Sequence, residues 1–156
     1  MKRLMPTINL PPPVVRLGLA GILPQLGCLS LVLLPGGWSW VGLAAGCFYA
    51  ALILSFLGGM WWMQALVHRV TTPVPYLVAV VPSLAAWAAL VPWALGWAWP
   101  GPSLLGLGVL LLVSPLVDWF LAETLPLPRM WLLLRLGMAA GLGSLTLALA
   151  FEALTA

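Results

Sequence analysis

Residues Trp38 to Val67 read WSWVGLAAGCFYAALILSFLGGMWWMQALV, without one Lys, Arg, Asp, Glu or Pro. As a helix this stretch is roughly 45 Å long, against a bilayer hydrocarbon core of roughly 30 Å. It crosses a membrane with residues to spare, so it must tilt, protrude or break, and Gly58-Gly59 is its weak point. Four more apolar runs lie around it. One precedes it at about residues 14–34, and three follow at about 76–95, 103–122 and 129–151. Turn-forming clusters separate them: Pro35-Gly36-Gly37, HRVTTPVP from His68, GWAWPGP from Gly96, and Glu123 to Pro128. The fold class this predicts is all-α, a single polytopic integral membrane bundle of five transmembrane helices over residues 1–156.

Composition points the same way. Only 6% of the 156 residues are charged and the mean hydropathy is +1.14. Soluble domains carry about 25% charged residues, so this chain could not cover itself with a hydrated surface. The sequence pI near 9.4 does not indicate nucleic acid, because six basic residues dispersed between apolar runs make no patch. Those residues speak to orientation instead. With five spans, Lys2, Arg3, Arg16, Arg69, Arg129 and Arg135 all fall on the side of the amino terminus. The positive-inside rule then predicts a cytoplasmic amino terminus and an outer carboxyl terminus, in a membrane such as the bacterial inner (plasma) membrane. Met1 to Pro13 reads as a short cytoplasmic tail, since no small-residue cleavage site follows it. Glu152 and its followers read as a short tail at the other end.

The tryptophans fit interfacial belts. Trp38, Trp40, Trp93, Trp97 and Trp99 map to the outer interface, and Trp61, Trp62, Trp119 and Trp131 to the inner one. Trp87 alone maps deep. Small residues recur at spacing four in Gly42, Gly46 and Ala50, and again in Gly137 and Gly141, which permits close helix approach. Prolines fall inside three runs, at Pro24, at Pro82 and Pro92, and at Pro115; the first should kink its helix.

Polar residues inside the runs carry what functional signal there is. Asp118 lies about one turn inside span four, and Arg135 reaches a similar depth in span five. A charge at that depth is costly unless paired or wetted. One reading is an Asp118–Arg135 ion pair that locks the two spans, with Arg16 as the other basic candidate. A second is a cytoplasm-facing polar cavity for a headgroup, anion or proton, lined also by Gln64 and by Trp61, Trp62 and Trp87. A third leaves Asp118 facing the interface. Gln25 and Tyr49 both fall near mid-membrane, where they could hydrogen-bond to each other or form a second binding layer. No HExxH, Walker loop or dinucleotide fingerprint is present. Cys28 and Cys47 sit in apolar runs at no metal-like spacing, and His68 stands alone at a membrane surface. The reading therefore assigns no catalytic residue, no metal and no cofactor.

Several blocks resemble a family of small bacterial multi-span membrane proteins of unknown function. They are ALILSFLGGMWW at Ala51 to Trp62, VVPSLAAWAALV at Val80 to Val91, LPRMWLLLRLG at Leu127 to Gly137, and LGLAGILPQ at Leu17 to Gln25. The resemblance implies a mitochondrial transmembrane relative in eukaryotes and marks Gly58, Gly59, Pro82, Trp87 and Arg135 as shared residues. The family pattern follows Gly-Gly with a His or Arg and then a Trp; here Trp61 stands in the basic place. The likeness implies no activity. Five spans and many tryptophans are also similar in architecture to the tryptophan-rich sensory proteins, whose Pro-Pro-x-Trp stretch is absent.

Two functions compete. The first is a non-enzymatic structural or partner-binding bundle, with membrane lipids around it and itself or another membrane protein as partner. The second is a binder or carrier of a small amphipathic ligand or lipid. A paired Asp118–Arg135 favours the first, and a cavity reaching Trp61 or Trp87 favours the second.

Overall fold

The computed structural model describes residues 10–122, 124, 125 and 127–155. Lys2 and Arg3, and with them most of the amino-terminal tail, lie outside the described residues, as do Glu123 and Pro126. Six helices are present in chain order: α1 Pro12–Ala20, α2 Leu23–Leu33, α3 Ser39–Val67, α4 Val74–Ala94, α5 Gly101–Leu121 and α6 Arg129–Thr155. α1 and α2 together make one membrane-length unit, so five units are long and apolar enough to span. Short loops join them, which makes chain neighbours antiparallel.

The first span breaks where its proline dictates, though one turn earlier than Pro24 itself. Pro24 has no N–H for the carbonyl of Ala20, and its ring crowds that group. The chain resolves this by ending α1 at Ala20 and turning through Gly21 and Ile22. It restarts with Pro24 in the first turn of α2, where no donor is needed. The Tyr49 hydroxyl of α3 donates to the carbonyl of Gly21 at this break.

α3 is continuous from Ser39 to Val67, so Gly58-Gly59 is not a break. It is the hub, flanked by α2, α4, α5 and α6, while α1 rests on α6. Its buried positions run Gly42, Gly46, Ala50, Leu54, Leu57, Gly58, Trp61 and Ala65, one stripe at three- and four-residue steps. Glycine is required where backbones meet. A Cβ on Gly58 would lie 2.3 Å from the carbonyl oxygen of Ala79 in α4, and one on Gly42 would lie 2.6 Å from that of Cys28 in α2. α3 ends in a Schellman arrangement, with Val70 N–H on Ala65 O and Arg69 N–H on Leu66 O. Arg69 holds the left-handed position there, with φ 53°, where glycine is usual.

α5 and α6 form the tightest pair. They meet at Gly108 and Gly143: a Cβ on the first would lie 2.7 Å from the Leu147 side chain and one on the second 2.5 Å from that of Leu112. The Gly137 position differs from expectation. A Cβ added there, or at Gly59, would meet nothing within 4 Å beyond its own helix, so neither is a close packing contact. Gly141 does pack, against Ile22 at the α1–α2 turn. α6 continues through Glu152 to Thr155, so the expected carboxyl-terminal tail is helical.

Candidate functional site

The buried charges meet in one layer built by α3, α5 and α6. Asp118 is fully buried and Arg135 is 2% exposed. Arg135 Nε donates to Asp118 Oδ2 at 3.0 Å, the salt bridge that joins α5 to α6. The other carboxylate oxygen is taken from α3: Trp61 Nε1 donates to Asp118 Oδ1 at 2.7 Å. The short distance suits a donor to an ionised acceptor.

The layer extends to a proline. Pro115 in α5 cannot donate to the carbonyl of Leu111, one turn before it. The Ser114 hydroxyl donates to that carbonyl at 2.8 Å, and Ser114 Oγ in turn accepts Arg135 Nη2 at 3.4 Å. Hydroxyls commonly satisfy backbone groups freed by membrane prolines. Here the same hydroxyl links the kink to the ion pair, so Pro115, Ser114, Arg135, Asp118 and Trp61 form one connected polar unit.

The other expected site residues fall elsewhere. Arg16 is exposed on α1 and takes no part in the layer. Gln64 is half-buried on α3; its backbone carbonyl accepts from the His68 N–H, and its side-chain oxygen is buried without a protein partner among the described residues. Trp62 is exposed and packs edge-on against Tyr76, ring centroids 5.1 Å apart. Trp87 is 69% exposed on α4 and does not line the cleft described below. Trp61, expected in the inner belt, is buried in the core and does not face the lipid. Asp118 and Arg135 are sealed on each other, and neither they nor Gln64 line the cleft described below.

The expected Gln25–Tyr49 hydrogen bond is not formed. Gln25 Nε2 donates to Thr146 Oγ1 of α6 at 2.9 Å, and Thr146 donates to Leu142 O at 2.7 Å. Tyr49 is drawn to Gly21 because the helix break leaves a strong carbonyl acceptor there. Ser55 and Ser83 add a 3.0 Å contact between α3 and α4. Ser114 and Thr146 escape sequence reading because a hydroxyl in an apolar run looks inert. The signal for Ser114 is its place directly before Pro115.

A cleft of about 270 Å³ lies beside the layer, between α3, α4 and α5. Trp61 and Ser114 form part of its floor and Pro82 part of one wall. Its lining is almost entirely apolar. At the opposite end of the bundle, Trp40, Phe48, Trp93 and Trp99 pack ring to ring with centroids 5.5 to 6.0 Å apart, leaving no space for a ligand between them. Among the described residues no group of three His, Cys, Asp or Glu side chains could hold a metal.

Five apolar helical units around a buried, internally satisfied charge layer define a polytopic helical membrane protein. Residues 10–151 match the model of a family described as Protein of unknown function (DUF3429), and the chain belongs to that family. No curated protein and no solved structure matches it.

Proposed function

We propose that the protein is a non-enzymatic helical bundle of a bacterial inner membrane that acts by packing against a membrane partner, either another protein or a second copy of itself. The observation that carries this reading is the use made of Asp118 and Arg135. They are the buried charged residues among those described, and each is engaged by the other inside the bundle. Neither charge is thereby held open to a substrate. The outward stripe of α4 carries Leu77, Leu84 and Trp87, all more than half exposed, and offers a broad face to a neighbour. A photo-crosslinking amino acid placed at Trp87 in native membranes should give a discrete protein adduct. Lipid adducts alone, both there and at Leu17 on α1, would remove the partner reading.

The same proposal places the amino terminus in the cytoplasm. Arg16, Arg69, Arg129 and Arg135 all lie toward one end of the antiparallel bundle, and the positive-inside rule makes that end cytoplasmic. The residue at position 69 supports a role for charge there: an arginine occupies a backbone conformation that glycine adopts without strain. Single cysteines at Thr72, after α3, and at Trp97, after α4, test the orientation. An impermeant maleimide added to intact cells should label Trp97→Cys and reach Thr72→Cys only after lysis. The reverse pattern sinks the assignment.

A further inference from the structure

We propose that the cleft between α3, α4 and α5 is a binding site for one acyl chain of a membrane lipid. This goes beyond the partner reading and does not depend on it. Four properties of the cleft identify the occupant.

The first is shape. The walls run from Val78 to Ala85 along α4 and from Leu110 to Val117 along α5, with Leu54 and Trp61 beneath on α3. Each wall covers two helical turns, about 10 Å, so the cleft is a trough parallel to the helix axes. A lipid chain in a bilayer runs in that direction.

The second is position. Ser114 lies seven residues before the end of α5 and Trp61 six before the end of α3, while Leu54 lies thirteen before the end of α3, so the trough floor runs from roughly 10 Å to roughly 20 Å inside those ends. In a core roughly 30 Å thick the trough therefore reaches from one leaflet to about the midplane. The rim is open sideways: Val81, Leu110 and Val113 are each partly exposed on the bundle surface, where the surrounding medium is hydrocarbon.

The third is chemistry. The two floor residues with polar atoms turn them inward. Trp61 Nε1 is committed to Asp118, and Ser114 Oγ to Leu111 O and Arg135. The trough offers an occupant indole carbon, methyls and a proline ring, and no free donor. A polar headgroup has nothing to bind there, whereas a hydrocarbon chain has contact along its whole length.

The fourth is volume. About 270 Å³ is nearly twice a cavity of about 150 Å³ that holds benzene. That volume suits one flexible hydrocarbon chain laid along the two helical turns of the walls.

The test uses the full chain in vesicles of phosphatidylethanolamine and phosphatidylglycerol. These are doped with a phosphatidylcholine carrying a diazirine at mid-chain, and adducts are mapped by peptide mass spectrometry. Adducts should concentrate at Val78, Leu110 and Val113 at least fivefold over Leu84, which faces bulk lipid on α4. Filling the trough with Ala85→Phe, or from the other wall with Val113→Phe, should abolish that enrichment and leave Leu84 labelling unchanged. Equal labelling of trough and outer-face residues in the wild-type protein overturns the site, whether or not either variant folds. Adducts from the trough to a second protein chain overturn it in favour of an interface.

Discussion

Asp118→Ala should destabilise the bundle by about 3–5 kcal/mol, because it leaves Arg135 buried with no counter-charge. The loss has three parts. The ion pair between α5 and α6 goes, the Trp61 indole N–H loses its acceptor, and the guanidinium keeps only its long contact to Ser114 among the described residues. Arg135→Met should cost less, since a carboxylate can be neutralised by a proton and a guanidinium cannot. The informative variant removes both charges. Apolar side chains of similar volume in place of a buried pair are often neutral or stabilising, so Asp118→Leu with Arg135→Met should recover most of the loss. Reversible unfolding in mixed micelles, run as a double-mutant cycle, reads the coupling directly. A single-variant cost below about 1 kcal/mol would show that the layer is not a lock, and the proposed function would lose its main support.

Gly58→Ala should separate α3 from α4, while Gly59→Ala next to it should do nothing harmful. The new Cβ at Gly58 would stand 2.3 Å from a backbone oxygen, Ala79 O, which cannot rotate out of the way. Overpacking of this kind costs about 1–3 kcal/mol, and the upper end applies when the obstacle is main chain. The displacement should also break the Ser55–Ser83 contact, which lies within a turn of the crossing on each helix. At Gly59 there is open space, so alanine gains whatever helix propensity gives, roughly 0.5–1 kcal/mol in water. Unfolding midpoints of the two variants, measured side by side, decide the matter. If Gly58→Ala is as stable as Gly59→Ala, the close crossing is not a feature of the folded protein.

The elements were readable because membrane spans are written in composition. The apolar runs after the first match α3 to α6 within two residues at most of their ends. The exceptions have physical causes: Pro24 stops α1 early, and α6 carries Glu152 in its last turn because a helix end at the interface tolerates a charge. Faces were harder to read than spans. A helix that is apolar all round has no polar side to show which way it points. On α6 the buried face runs Arg135, Ala139, Leu142, Gly143 and Thr146, and Gly137 lies about 200° away from Arg135 on the helix, so its spacing with Gly141 misleads. On α3 the small-residue stripe was the right guide and needed only to be followed further. Strict steps of four from Gly42 through Gly46, Ala50, Leu54 and Gly58 lead to Trp62, but the helical repeat of about 3.6 residues calls for a step of three after Gly58, and that step arrives at the buried Trp61. That step separates the tryptophan that seals Asp118 from the one that meets lipid, whereas sorting tryptophans by depth alone places both in one belt. The Asp118–Arg135 geometry was within reach of depth arithmetic. The partners of Gln25 and Tyr49 were not: that of Tyr49 depends on which carbonyl the α1–α2 turn releases, and that of Gln25 on which hydroxyl of α6 faces α2.

The salt bridge between α5 and α6 also bears on how the chain enters the bilayer. On the scale of translocon insertion, a lone Asp or Arg at the centre of a span opposes entry by about 2.5–3.5 kcal/mol, and by less near an end. α5 taken alone carries the acid and α6 taken alone carries the base. The segment from residue 122 to 128 between them is short enough for the two to leave the insertion machinery as one hairpin, already neutral and already joined at Gly108 and Gly143. The last third of the polypeptide should therefore enter the bilayer as a single hairpin, docking at a site that α3 completes with one indole N–H.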